Sequence, residues 1–338
     1  MNRFHKKYVI NSILIIFALL IVFVFSCSKQ TPKIKLVQSD FRLSLPDSLT
    51  GEYLTIVTNI TVDKDGFIYI LDNGKNEVLK FNPSGDFHSI FVKSGRGFGS
   101  IYRPCSINVF DTLFVLHNTG SLEYFDLSGK YFDKVLSHGR FDAVYADDKI
   151  VIVSRMVDSY QYEGCIEKYT RETEELLAFR SSRFFLHRDV TADFIFTRMV
   201  SDSQLVIVPA VEDSIFLYDI DGKLLKSKRI VNTHEKIKDV PDSLVFRTED
   251  IFVDNNYIYL LRVDHKKSTE EIVYVKYIEQ YNSNLAFVQS LELPYSVTMT
   301  TAIEPWSFCY HKFFVRKDKF YFMVSKPGEQ MVVFEVPD

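Results

Sequence analysis

Three sets of residues have types and spacings that could do chemistry. Gly95-Arg96-Gly97-Phe98-Gly99 has the glycine density of a phosphate loop, where backbone N–H groups cradle an anion at the start of a helix. It lacks the terminal Lys-Ser or Lys-Thr and the amphipathic helix, and it sits between two strand-like runs. It therefore reads as a connection between β units whose glycines take positive φ. Asp63-x-Asp65-Gly66 and Asp219-x-Asp221-Gly222 resemble the opening of a calcium loop. Neither has the glutamate that such a loop needs at its twelfth position, and both fall at hairpin turns, where Asp and Gly are favoured anyway. The histidines beyond residue 26 (His88, His117, His138, His187, His234, His265, His311) show no H-x-H, H-E-x-x-H or Cys-His ligand spacing. No G-x-S-x-G is present, so an α/β-hydrolase nucleophile is absent.

The elements that must position any site are short strands. From Thr61 to Asp86, apolar residues alternate at period two and break at Asp65-Gly66, Asn73-Gly74 and Pro83-Ser84-Gly85, the pattern of antiparallel strands joined by hairpins. The same strand-turn-strand landmark returns from Ile60, Ile107, Ala143, Met199, Ile251 and Phe313. Each copy is followed by an aromatic and a polar residue: Phe81-Asn82, Phe125-Asp126, Tyr169-Thr170, Tyr218-Asp219, Tyr281-Asn282, Phe334-Glu335. Six copies at irregular spacing around the ~40–50 residues of a four-stranded blade predict an all-β, six-bladed β-propeller. Asn232 to Ser243 reads as a short helical loop and Asp264 to Glu271 as a solvated hairpin tip. Only three strands fit after Phe313, so Lys33 to Leu45 is expected to supply the missing outer strand of the last blade and close the ring.

The first 26 residues stand apart. Arg3, Lys6 and Lys7 precede the uncharged apolar run Ile13–Phe25, which is short for a bilayer span and of signal-peptide length. Val24-Phe25-Ser26-Cys27 resembles a bacterial lipobox, so the expected organisation is a signal peptide over 1–26, an acylated Cys27 with a tether over 27–32, and a propeller over 33–338. The basic tether favours an outer-membrane position facing the periplasm. The formal charge is −4, and three cations without a carboxylate lie in 1–26, so the remainder carries about −7. That balance argues against nucleic-acid binding. Cys105, Cys165 and Cys309 have no C-x-x-C spacing and read as buried thiols, the alternative being one disulfide and a spare thiol.

The blades, the turns F-N-P-S-G-D-F and F-D-L-S-G-K-Y-F, and the linker G-R-G-F-G-S-I-Y-R-P resemble the six-bladed, NHL-type β-propeller lipoproteins of Bacteroides-like bacteria. That family's linker reads G-x-G-P-G-E; here Phe98 and Ser100 replace its Pro and Glu. The resemblance implies the fold and an envelope address rather than a chemistry. In a propeller, the loops into each innermost strand share one face with the loops between second and third strands. That face is expected to gather Arg96, Tyr102, Arg103, Asp72, Asn73, His117, Asn118, Arg155, Arg198, Asp250, Arg262 and His311. Arginines among aromatics suit a carboxylated or sugar-like ligand or the acidic loop of a protein. The expected function is a monomeric binding or scaffolding module with no cofactor. The alternative is a lactonase-like hydrolase or lyase holding calcium on converging carboxylates.

Overall fold

The computed structural model describes residues 33–338 except 55, 98, 103, 119–120, 137–140, 148, 156–165, 172–178, 185–194, 210–212, 231–247, 268–271, 300–312, 317, 327–328 and 338. The compact body is Ile34–Asp338. Two short strands lead, β1 (Lys33–Lys35) and β2 (Val37–Gln38). Blade one is β3 (Val57–Val62), β4 (Ile68–Asp72), β5 (Glu77–Phe81) and β6 (Phe87–Val92). Blade two is β7 (Pro104–Val109), β8 (Leu113–Asn118), β9 (Ser121–Asp126) and β10 (Tyr131–Leu136). Blade three is β11 (Phe141–Ala146), β12 (Ile150–Arg155), β13 (Ile166–Arg171) and β14 (Phe179–Phe184). Blade four is β15 (Ile195–Ser201), β16 (Gln204–Pro209), β17 (Ser214–Asp219) and β18 (Leu224–Arg229). Blade five is β19 (Thr248–Asp254), β20 (Tyr257–Lys267), β21 (Ile272–Asn282) and β22 (Phe287–Met299). Blade six is β23 (Phe313–Arg316), β24 (Lys319–Lys326) and β25 (Glu329–Glu335). Each blade is an antiparallel meander, and the chain is a six-bladed β-propeller. Among the described residues no helix is long and apolar enough to cross a membrane.

A blade has apolar side chains on both faces, so burial needs a neighbour on each side. The core is accordingly divided among the interfaces between blades. Tyr69 and Val78 of blade one pack with Phe114 and Phe125 of blade two, and Leu205 of blade four packs with Ile152 of blade three. Ile70 and Leu79 of blade one meet Tyr321 and Val333 of blade six, which closes the ring.

The leading segment closes the ring differently from the expectation that it completes the last blade alone. Val37 and Gln38 do pair with Glu335 and Phe334, making β2 the fourth strand of blade six. β1 instead adds a fifth strand to blade five outside β22. Further on, Ser44 bridges Asp86, and its backbone exchanges hydrogen bonds with Gly85 and Phe87 of blade one. Between β1 and β2, Leu36 is 1% exposed in the core shared by blades five and six. Residues 33–44 therefore strap three blades together.

The recurrent turns explain the sequence landmarks. The side chain of Asp126 accepts the N–H groups of Ser128 and Lys130, Asp219 those of Asp221 and Lys223, and Asn282 those of Asn284 and Ala286. Asp63 Oδ1 likewise accepts from Asp65 (3.0 Å) and Phe67 (2.9 Å). The calcium-like D-x-D-G motifs are thus turns whose first carboxylate is spent on its own backbone. Asp264–Lys267, expected at a hairpin tip, lie within the long strand β20, whereas residues 232–243 fall outside the described residues.

Candidate functional site

Within the linker from blade one to blade two, Ser94 bridges Ile101, and Lys93 and Gly95 exchange backbone hydrogen bonds with Ile101. Ile101 is fully buried, so the loop is stapled at its base and Arg96 is carried outward. Only Gly99 of its glycines has a positive φ, at 72°, where an added Cβ would strike Cβ of Tyr131. The exposed guanidinium of Arg96 lies 5.2 Å from the ring centroid of Tyr102, which is itself 47% exposed. Such a pair is a ready polar and aromatic contact surface.

The second-strand ends hold this linker in place. Asn118 Oδ1 accepts from Tyr102 N at 3.4 Å, and its Nδ2 donates to Ser100 O at 3.4 Å and Glu123 Oε1 at 2.8 Å. Burial pushes the Glu123 carboxyl pKa up, against the pull of Asn118, Lys134 and Ser121. In blade one Asp72 does the same work, accepting from Ile56 N at 3.4 Å and Gly74 N at 2.9 Å. Ile56 is 57% exposed, so a second apolar contact sits at the same end of the adjoining blade.

Register makes the parallel general. Asp72, Asn118, Arg155 and Arg262 each pair with the first residue of their innermost strand: Val57, Pro104, Phe141 and Thr248. Arg262 is 1% exposed and donates to Thr248 Oγ1 at 2.6 Å and Asp213 Oδ1 at 2.7 Å, with Glu279 Oε2 at 3.7 Å. Since Asp213 belongs to blade four, this arginine ties two blades together. Asp72 and Arg262, expected on the open face, are buried struts behind it. His117 is 1% exposed on β8 and is also removed from solvent. The backbone of Arg155 ends β12, while Arg103, His311 and Cys27 lie outside the described residues, as do Cys165 and Cys309. Cys105 is half-buried on β7.

Arg198 and Asp250 do come together, on the innermost strands of blades four and five, with Arg198 Nη2 3.6 Å from Asp250 Oδ1. Asp250 also accepts from Ile251 N at 2.9 Å and, across the blade boundary, from Phe313 N at 3.3 Å. They line a cavity of about 30 Å³ together with Asn59, Thr61, Asn108, Phe252, Phe313 and Phe314. That volume holds water and is far below the roughly 300–1,000 Å³ of small-molecule sites. The ring centroids of Phe252 and Phe314, both in its lining, stand 4.2 Å apart. The Asn59 amide nitrogen is buried without a partner. Asn59, Thr61 and Asn108 were not singled out from the sequence, although polar residues at alternate positions of the otherwise apolar runs V-T-N-I-T-V and P-C-S-I-N-V mark a face turned to a polar channel. Among the described residues no three His, Cys, Asp or Glu side chains gather to hold a metal.

The fold and this face define a β-propeller with exposed polar and aromatic residues on the linker between its first two blades. The chain is similar in structure to a member of the DUF4221 family from Bacteroides vulgatus (8% identity, TM-score 0.60, covering 91% of this chain and 98% of that one). It is also similar to a candidate exported protein from Bacteroides fragilis (11% identity, TM-score 0.52, 90% and 98%) and to the WD40 domain of Neurospora crassa Pan2 (12%, 0.51, 91% and 98%). At such identities the likeness establishes the fold. No family model and no curated protein matches the sequence.

Proposed function

We propose that this chain is a binding or scaffolding propeller of the bacterial cell envelope, held by a lipid on Cys27 and contacting a protein or glycan partner through its linker face. The observation that carries the reading is the exposed Arg96–Tyr102 pair on a loop stapled at Ile101 and Asn118, beside exposed Ile56. A planar cation over a ring, pre-positioned by buried struts, loses little conformational freedom when a partner docks. The envelope address is supported by the lipobox-like V-F-S-C, and the NHL-type assignment by the blade turns. Extraction of envelope proteins with the native chain and with the Arg96→Ala/Tyr102→Ala variant tests the reading. A partner retained by the native chain is expected to be lost with the variant, at unchanged melting temperature. Equal recovery from both would move recognition away from this face.

A further inference from the structure

The leading segment leaves the outer rim of the ring unevenly covered. β1 lies outside β22 and β2 outside β25, so blades five and six are covered at their outer edges, whereas blade one is touched only where Ser44 bridges Asp86. Among the described residues β6, β10, β14 and β18 stand outermost in their sheets with no further strand, β6 meeting only the Ser44 bridge ahead of its first residue. Of those whose exposure is described, β18 is the barest: Leu224, Leu225, Lys226, Ser227 and Arg229 are exposed and Lys228 is half-buried. A bare edge strand presents unpaired backbone N–H and C=O groups, a ready template for another strand.

We propose that the outer edge of blade four, strand β18, docks an acidic, extended polypeptide segment that pairs as an additional strand. Three observations support this. First, β18 reads Leu-Leu-Lys-Ser-Lys-Arg, three cations and no carboxylate, in a body carrying about −7. Second, Lys226 donates to Asn284 O at 2.7 Å and Lys228 lies 5.1 Å from the Tyr281 ring centroid, so each ammonium group is steadied by an uncharged group of blade five. Third, blade five already accepts a fifth strand, β1, so the blade geometry tolerates such an addition.

Edge lysines commonly serve to prevent pairing, and here they do so against a second copy of the chain, whose β18 would bring like charge against like. An acidic strand meets the opposite condition. A polypeptide fits better than a nucleic acid or an anionic glycan, because only a peptide backbone supplies both the donors and the acceptors that an open ladder lacks. This surface is separate from the Arg96–Tyr102 rim and does not depend on it.

The test uses the full chain and a fluorescent peptide alternating Glu and Val, with binding followed by anisotropy. Ser227→Glu and Arg229→Glu, each placing a carboxylate on the exposed edge, are expected to weaken binding about tenfold or more with the melting temperature unchanged. The same peptide N-methylated at alternate amides keeps its charge but cannot complete the ladder, and is expected to bind at least about tenfold more weakly. The Arg96→Ala/Tyr102→Ala variant is expected to bind the peptide normally. Equal binding of the methylated peptide, tighter binding of heparin or an oligonucleotide than of the peptide, or indifference to both edge variants would each overturn the proposal.

Discussion

Glu123 shows how one buried group can hold a loop at a cost in stability. Its carboxylate accepts from Asn118, which in turn fixes the backbone of Ser100 and Tyr102 below the exposed Arg96. Burial nevertheless raises its pKa above the ordinary glutamate value. Between those two values the folded chain binds more protons than the unfolded one, so stability falls as pH rises through that window. Glu123→Gln keeps an oxygen for Asn118 and removes the buried charge. It is expected to be more stable than the native chain at neutral pH, with the advantage vanishing below about pH 4. Urea denaturation across that range checks this, and a variant less stable at neutral pH would show that Lys134 needs the ionised carboxylate. The neighbouring struts carry the lesson on legibility. Asp72, Asn118, Arg155 and Arg262 could all be picked out from the sequence, and register shows that they share one position in their blades. Whether that position faces a partner or clamps the next linker depends on contacts such as Arg262 with Asp213, which lie far apart in the chain.

Among elements, the turns were the most legible, because their chemistry is local. An Asp or Asn that accepts two downstream N–H groups, followed by a residue at positive φ, recurs at Asp63, Asp126, Asp219 and Asn282. Gly66, Gly129 and Gly222 fill the positive-φ place, but in blade five it is taken by Leu285, at φ 58° and 1% exposed. There, burial of the side chain outweighs the strain of the left-handed backbone. Gly85 tests how the strap meets these turns. It has φ 94°, and an added Cβ would run into the backbone carbonyl of Arg42 and the Phe41 ring, whereas at Gly66 (φ 91°) it would meet only the Pro83 ring at 3.3 Å. Gly85→Ala is therefore expected to cost about 2–3 kcal/mol and Gly66→Ala about 1 kcal/mol in chemical denaturation. Equal losses would mean that the strap does not press on blade one's outer turn. The positions of Asn59 and Asn108 were less legible, since a polar residue inside a strand signals a channel only once the ring is known to close.

At the scale of the whole molecule, blade count and closure followed from period and remaining chain length, but the path of the strap did not. Residues 33–45 alternate only in part, and nothing in K-I-K-L-V-Q-S-D-F-R-L-S-L marks where one blade is left for the next. The structure resolves this through Leu36, which is buried between blades five and six and obliges the backbone to change sheets on either side of it. In a ring whose core lies between its blades, the seam between last and first blade is the interface with no covalent connection through consecutive strands, and the strap reinforces it. Removing 33–45 takes away Leu36, worth about 2–3 kcal/mol by burial alone, and uncovers Phe334 at the edge of β25. Phe41, Leu43 and Leu45, which pack on the core joining blades six and one, are lost with it. The melting temperature is expected to fall by at least about 5 °C, whereas a chain that begins at Lys33 should melt with the native one. Thermal unfolding of the two truncated proteins decides the matter. Equal midpoints would show that blade six is held by Phe314 and Tyr321 against blade one without help from the strap, and that the ring closes on side-chain packing alone.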